Sequence, residues 1–424
     1  MIPVRLEEIA RLDLGALGGG EPADTITAVK ADSREVGPGD LFVALNTGVA
    51  FVDEARARGA STLVPDDQER ALAAIARLVR ERSDAQVVAV VGSAGKTTTK
   101  DILGALCAPH VPTVSAEKSL NNEIGLPLTV CRLEPDTEVL ITEMGMRGLG
   151  QISALCAIAH PSLVVVPHIG PEHLELLGSV ERVAEANAEA IAALPPGGVA
   201  VVPAHADALE PHLGRGDIVL RRFDPADVAR ENRATRFTVG DATVELALPF
   251  TQRHLLTNTL AALHAYDVLG LPLGRAAEGV AGIELSPWRG EELPLPGGGF
   301  VVNDAYNANP DSMRAALEHL AEHAGERRKV AILGEMAELG ASSESYHRGI
   351  GELAATLGID VVGVGEASRA YEPVAWAEGA ADVLDVARPL LGPGDAVLVK
   401  ASRAVGLEGI PASIEKRAGA WFAS

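Results

Sequence analysis

Aromatic residues supply only 3% of the 424 residues, cysteine occurs three times, and 36 Lys and Arg face 58 Asp and Glu, a formal charge of −22. A basic deficit of this size, with no long Lys/Arg run, excludes nucleic acid or an anionic membrane surface as the main partner. An anionic ligand must therefore be held by a local site. Cys107, Cys131 and Cys156 are widely spaced and form no metal-ligand pattern, which argues against a disulfide frame and for a reducing compartment, the cytoplasm. No apolar run approaches the roughly 20 residues of a membrane span. The N-terminal stretch carries Glu7 and Glu8 where a signal peptide needs an apolar core, so no secretion signal is expected. What the chain does have is apolar mass, 47% hydrophobic against 22% charged. That excludes disorder, and at about 150 residues per domain the length implies two or three globular units.

The expected fold class is α/β with three domains: a small mixed N-terminal domain (1–83), a central parallel-sheet domain of phosphate-loop type (84–286), and a C-terminal Rossmann-like domain (287–424). In the first, a short helix from Leu6 to Leu12 and strands around Ile26 to Val29, Leu41 to Leu45 and Ser61 to Val64 follow from the apolar pattern. In the second, β-branched or apolar runs at Val87 to Val91, Val139 to Thr142, Leu163 to Val166 and Val199 to Val202 alternate with helical segments, as in a parallel sheet. A Pro/Gly-rich stretch from Ser286 to Gly299 marks the junction to the third, where strands are expected at Phe300 to Asn303, Val330 to Leu333, Val361 to Val364 and Ala396 to Val399.

The strand at Val87 to Val91 empties directly into Gly92-Ser93-Ala94-Gly95-Lys96-Thr97-Thr98, which opens a helix. Backbone N–H groups of such a turn face a polyphosphate, the lysine neutralises its outer oxygens, and the threonine hydroxyl ligates Mg²⁺. The full phosphate-loop pattern has Gly where this chain has Val90, leaving the shorter G-x-x-G-K-T. By itself such a loop does not separate kinase, ligase, GTPase or motor.

Further motifs narrow the choice: Asn121-Asn122-Glu123-Ile124-Gly125, Thr142-Glu143-Met144-Gly145, Asp304-Ala305-Tyr306-Asn307-Ala308-Asn309-Pro310-Asp311-Ser312, Gly334-Glu335-Met336-Ala337-Glu338-Leu339-Gly340 and Lys400-Ala401-Ser402-Arg403. Together with the glycine loop, and over essentially the whole chain, they resemble the Mur ligase family. The resemblance implies an ATP- and Mg²⁺-dependent amide ligase of peptidoglycan precursor synthesis. The Asp304 to Ser312 string points to the members that add D-alanyl-D-alanine to UDP-N-acetylmuramoyl-tripeptide. It also implies roles. Lys96 would contact the β- and γ-phosphates, Thr97 and Glu143 a first Mg²⁺, His173 a second metal, and Arg289 the γ-phosphate. Asn258 would contact adenine, and Asp304 and Asn307 ribose and phosphate, with Tyr306 stacking nearby. Ser33 and Arg34 would hold the uridine nucleotide, Asn122 the substrate, and Lys400 and Arg403 the dipeptide carboxylate. Asp311 and Ser312 read instead as the start of a helix after Pro310. A monomer with no nucleic-acid partner and no membrane insertion is expected, hinged near Ser286 to Gly290.

Two places depart from the family pattern. The loop Asn46 to Phe51 is short and lacks the usual Asp-Gly-His. Asn187 stands where the resemblance implies a lysine carrying a carbamate, an added ligand for the second metal; a second metal held by His173 and the phosphates, with lowered affinity, is the expectation. Two other readings stay open: a relative with a different acceptor or amine, such as another muramyl ligase or a folyl- or cyanophycin-type ligase, and a catalytically silent homologue that keeps a nucleotide or precursor site.

Overall fold

The computed structural model describes residues 1–231 and 234–422. A four-stranded N-terminal sheet runs in the order Gly15–Gly18, Ser61–Pro65, Asp40–Val43, Ala28–Lys30, antiparallel at its first pair and parallel thereafter. The single strand expected around Ile26 to Val29 is two. Thr25–Ile26 pairs with Val4–Arg5, whereas Ala28–Lys30 pairs with Asp40–Val43, so the apolar run changes sheets at Thr27. The short helix is Leu6–Ala10. Helix Gln68–Arg80 buries Ala71, Leu72, Ile75, Ala76 and Val79 on one face, and Asp67 caps its first turn by accepting the Arg70 N–H at 2.9 Å. Arg80 and Arg77 donate to the Ala159 and Ala157 carbonyls, 2.8 and 3.2 Å, at the C-terminal end of helix Gln151–Ala159. Cations there complement the helix dipole.

The central sheet has six strands, Val219–Phe223, Val199–Pro203, Leu163–Val165, Gln86–Val90, Val139–Glu143 and Thr113–Ser115 in that order, all parallel. Its inner strands are buried on both faces, the reason they read as unbroken apolar runs. A separate antiparallel sheet of Val228–Glu231, Ala234–Val239 and Ala242–Leu246 follows. The C-terminal sheet has the order Glu291–Leu295, Gly299–Asn303, Ala396–Lys400, Lys329–Leu333, Ile359–Val364, Ala375–Ala377, parallel except for its first pair. Pro294 fits because Glu291–Leu295 is an edge strand.

By compactness the chain divides into two units, one of residues 1–168, 185–249 and 257–284, the other of 169–184, 250–256 and 285–424. No helix among the described residues is long and apolar enough to cross a membrane.

Candidate active site

In the first unit, the buried strand Gln86–Val90 ends in a turn whose two glycines take backbone angles that side chains disfavour, φ +125° at Gly92 and +78° at Gly95. Val90 therefore closes the strand, and the turn needs no glycine there. A Cβ on Gly92 would lie 2.6 Å from the His168 carbonyl oxygen, and one on Gly95 would lie 2.4 Å from Asn258 Oδ1. The loop is pinned from behind. Gly92 donates its N–H to Asn187 Oδ1 at 2.6 Å, and Ser93 donates its own to the His168 carbonyl at 2.9 Å. Helix Lys96–Cys107 starts directly after Gly95, so its N-terminus and partial positive charge fall at the loop. Lys96 reaches back to donate from Nζ to the Gly92 carbonyl, Thr97 Oγ1 is 3.3 Å from Ser119 Oγ, and Thr98 is buried one position on.

Glu143 is the last residue of Val139–Glu143 and pairs in register with Val90, so it ends at the carboxyl edge of the sheet where the loop begins. Its Oε1 accepts from Asn121 Nδ2 at 2.7 Å, while Oε2 is buried with no hydrogen-bond partner. Asn121 also accepts the Gly145 N–H on its carbonyl at 2.8 Å, which ties the two motifs together. Asn122 turns its Oδ1 to the backbone N–H groups of Gly125 and Ile124, 2.9 and 3.3 Å, as an Asx turn before helix Gly125–Val130. Its neighbour Asn121, not singled out from sequence, is the one that meets the carboxylate. Asn258, in helix Arg253–Val268, lies against Gly95.

Near the N-terminus Ser33 is buried. Arg34 grips Asp32, Nε to Oδ1 at 2.9 Å and Nη2 to Oδ2 at 2.5 Å, and these side-chain bonds bring the Asp32 carboxyl down to about 2. The short loop is a 3-10 turn, Asn46–Phe51, with Val49 and Phe51 exposed.

In the second unit, Lys400 ends Ala396–Lys400 and donates to Asp304 Oδ2 at 2.6 Å and to the carbonyls of Asn307 and Asp304 at 2.9 and 3.4 Å. Its side chain is 3% exposed and that of Asp304 18%. The lysine is thus spent on holding the loop that carries Asp304 and Asn307. Arg289 stacks its guanidinium 4.0 Å over the Tyr306 ring, and Arg403 stands 4.3 Å over Trp288 while pairing with Glu408 at 3.1 Å. His254 is pushed down to about 4, mainly by burial, with Asp304 opposing and Lys400 adding to the shift. Asn309 and Ser312 form a reciprocal cap, 2.8 and 3.0 Å, on helix Pro310–Ala324, the start read from the sequence. His173, with φ +52°, bonds through Nδ1 to the Glu338 carboxylate, and Glu338 has φ +60°. A carboxylate only accepts, so Nδ1 carries the proton and a neutral ring keeps its lone pair on Nε2.

The family model for the Mur ligase middle domain matches residues 90–266, and that for the Mur ligase glutamate ligase domain matches residues 289–403. The chain is also 34% identical over 400 residues to the UDP-N-acetylmuramoyl-tripeptide--D-alanyl-D-alanine ligase of Escherichia coli K12, covering 87% of this chain and 88% of that one. The chain belongs to the Mur ligase family. Among solved structures, it superposes on MurF from Acinetobacter baumannii with a TM-score of 0.85 at 25% identity, covering 98% and 99% of the two chains. It matches the MurF ligase of Thermotoga maritima, solved in complex with ADP, with a TM-score of 0.81 at 27% identity over 93% and 98%.

Within this Mur ligase, the donors fit a small hard cation. The Thr97 hydroxyl and Glu143 are oxygen ligands at the carboxyl edge of the sheet, and Glu143 Oε2 is a buried anionic oxygen left without a bond. Among the described residues no group of three or more His, Cys, Asp or Glu forms a metal cage. One carboxylate with a hydroxyl is the kind of protein contribution Mg²⁺ takes when phosphates and waters complete its shell.

Proposed function

We propose that this chain is an ATP-dependent amide ligase that joins D-alanyl-D-alanine to the terminal carboxylate of UDP-N-acetylmuramoyl-tripeptide. The observation that carries the reading is the pairing of a strand–glycine turn–helix phosphate loop with the orphaned Glu143 oxygen level with its start; membership of the Mur ligase family supplies the reaction class. The name of the E. coli relative supports the choice of substrates.

A carboxylate resists attack by an amine at neutral pH, so it must first be activated. A carboxylate oxygen attacks the γ-phosphorus of ATP, the bond to the bridging oxygen breaks, and ADP leaves. The amine nitrogen of the dipeptide then attacks the acyl carbon, the tetrahedral adduct expels phosphate, and the nitrogen loses a proton. Thr97 and Glu143 would hold Mg²⁺, which screens the two anions from each other when bound. Lys96 neutralises the outer phosphates, and the N–H groups from Ala94 to Thr98 cradle them, those of Gly92 and Ser93 being spent on Asn187 and His168. His173 offers Nε2 to a second metal, oriented by Glu338 as carboxylates orient ligating histidines. Arg289, held flat by Tyr306, serves the γ-phosphate; Asn258, Asp304 and Asn307 serve the nucleoside and its phosphates. Lys400 acts by fixing the Asp304 to Asn307 loop, and Arg403 is the cation for the dipeptide carboxylate. Ser33 and Arg34 belong to the uridine nucleotide, Asn122 to the substrate. The three functional domains are 1–83, 84–286 and 287–424, and the protein works as a cytoplasmic monomer.

Mixing the protein with ATP, Mg²⁺, UDP-N-acetylmuramoyl-tripeptide and D-alanyl-D-alanine should release phosphate only when all are present. Release with another amine alone would assign a related ligase. No release with any amine would assign a silent binding homologue.

A further inference from the structure

Asn187 lies in helix Val180–Ala192, 1% exposed, and its contact with the Gly92 N–H spans 95 residues of sequence. The neighbouring N–H, that of Ser93, goes to a backbone carbonyl, His168, which a residue of any type at 168 would offer. The Asn187 amide is therefore a side-chain pin, reaching the entry of the loop from a distant helix. Such a pin matters here because Gly92 sits at φ +125°, where a Cβ would lie only 2.6 Å from the His168 carbonyl oxygen, and a backbone in a sparsely populated conformation persists only where its surroundings hold it. An amide also suits the place chemically: Oδ1 accepts without adding a negative charge beside a loop built to take phosphates, whereas an ammonium has donors only and would face the N–H.

We propose that Asn187 is a positioning residue for nucleotide binding, acting through the Gly92 amide to set the loop from Ser93 to Thr97 in its phosphate-receiving shape. The inference rests on the nucleotide-binding reading above. It assigns Asn187 a task different from that of a modified lysine, and binding should need no bicarbonate.

Asn187→Leu removes the acceptor at similar volume, and Asn187→Asp keeps it. Amide hydrogen exchange in the nucleotide-free protein, ADP affinity by calorimetry with Mg²⁺, and the KM for ATP against kcat are the readouts. In the leucine variant the Gly92 amide should exchange faster while the amides of Gln86–Val90 do not change. Its ADP affinity should fall about tenfold, the usual scale for a stranded buried N–H. KM for ATP should rise by about the same factor with kcat nearly unchanged, the signature of lost uniform binding. The aspartate variant should keep Gly92 protected. A folded leucine variant with wild-type ADP affinity and wild-type Gly92 exchange would overturn the proposal. If the leucine variant does not fold, the aspartate variant decides, and rapid exchange at Gly92 in it would overturn the proposal too. A wild-type protein that bound no ADP would instead defeat the functional reading, leaving the exchange comparison intact.

Discussion

Glu143 keeps one oxygen bonded to Asn121 and leaves the other buried without a partner. Gln at 143 preserves the bonded oxygen and removes the charge, so Glu143→Gln should fold normally, require more Mg²⁺, and lose about a hundredfold in kcat, since metal stabilisation of transition-state charge is worth several kcal/mol. Magnesium titrations of turnover beside a thermal melt check both halves. The Lys400–Asp304 pair is a stability determinant of a different sort. Removing one partner of a buried pair strands the other, and Lys400→Met should cost about 3 kcal/mol in urea unfolding. Adding Asp304→Asn should recover part of that, because the penalty comes from the uncompensated charge.

At the scale of the element, the phosphate loop has its shape from two glycines and its fixity from distant partners. Gly92→Ala would force a methyl onto the His168 carbonyl; a loss of about 2 kcal/mol or more in stability, with ADP binding lost, is expected. The loop from Gly334 to Gly340 is latched by a buried histidine. His347 accepts the Met336 N–H on Nε2 at 3.0 Å, and its Nδ1 bonds the Ser343 carbonyl at 2.7 Å. Burial lowers its affinity for a proton from the ordinary 6.5, against a raising bond to Ser343. The unfolded chain therefore binds protons that the folded one refuses below about 6.5, so stability rises with pH in that window and is lost as pH falls. His254, at about 4, extends the same loss downward. Each such histidine contributes a slope of at most about 1.4 kcal/mol per pH unit. Urea midpoints between pH 7 and pH 4.5 should show the decline, and His347→Gln should flatten it.

Across the whole molecule, legibility followed locality. The inner strands of both large sheets were readable because burial on both faces demands uninterrupted Val, Ile and Leu. The edges Glu291–Leu295 and Ala375–Ala377 were not, the first being largely exposed and the second three residues long and partly exposed. The sheet around Ala234–Val239 also went unread, although Thr235, Phe237 and Val239 alternate inward before a turn at Gly240; that period was the available signal. In the candidate site, the glycine loop was legible since its residues are consecutive. The bonds of Asn121 to Glu143, Asn187 to Gly92 and Glu338 to His173 join residues 22, 95 and 165 positions apart, and no local pattern encodes such meetings. The direct test of the whole account is to label the terminal carboxylate of the UDP-N-acetylmuramoyl-tripeptide with ¹⁸O and follow one turnover with D-alanyl-D-alanine and ATP. Transfer of one labelled oxygen into the released phosphate, with the amide formed, is predicted; amide formation with unlabelled phosphate, or ATP cleavage without amide, would contradict it.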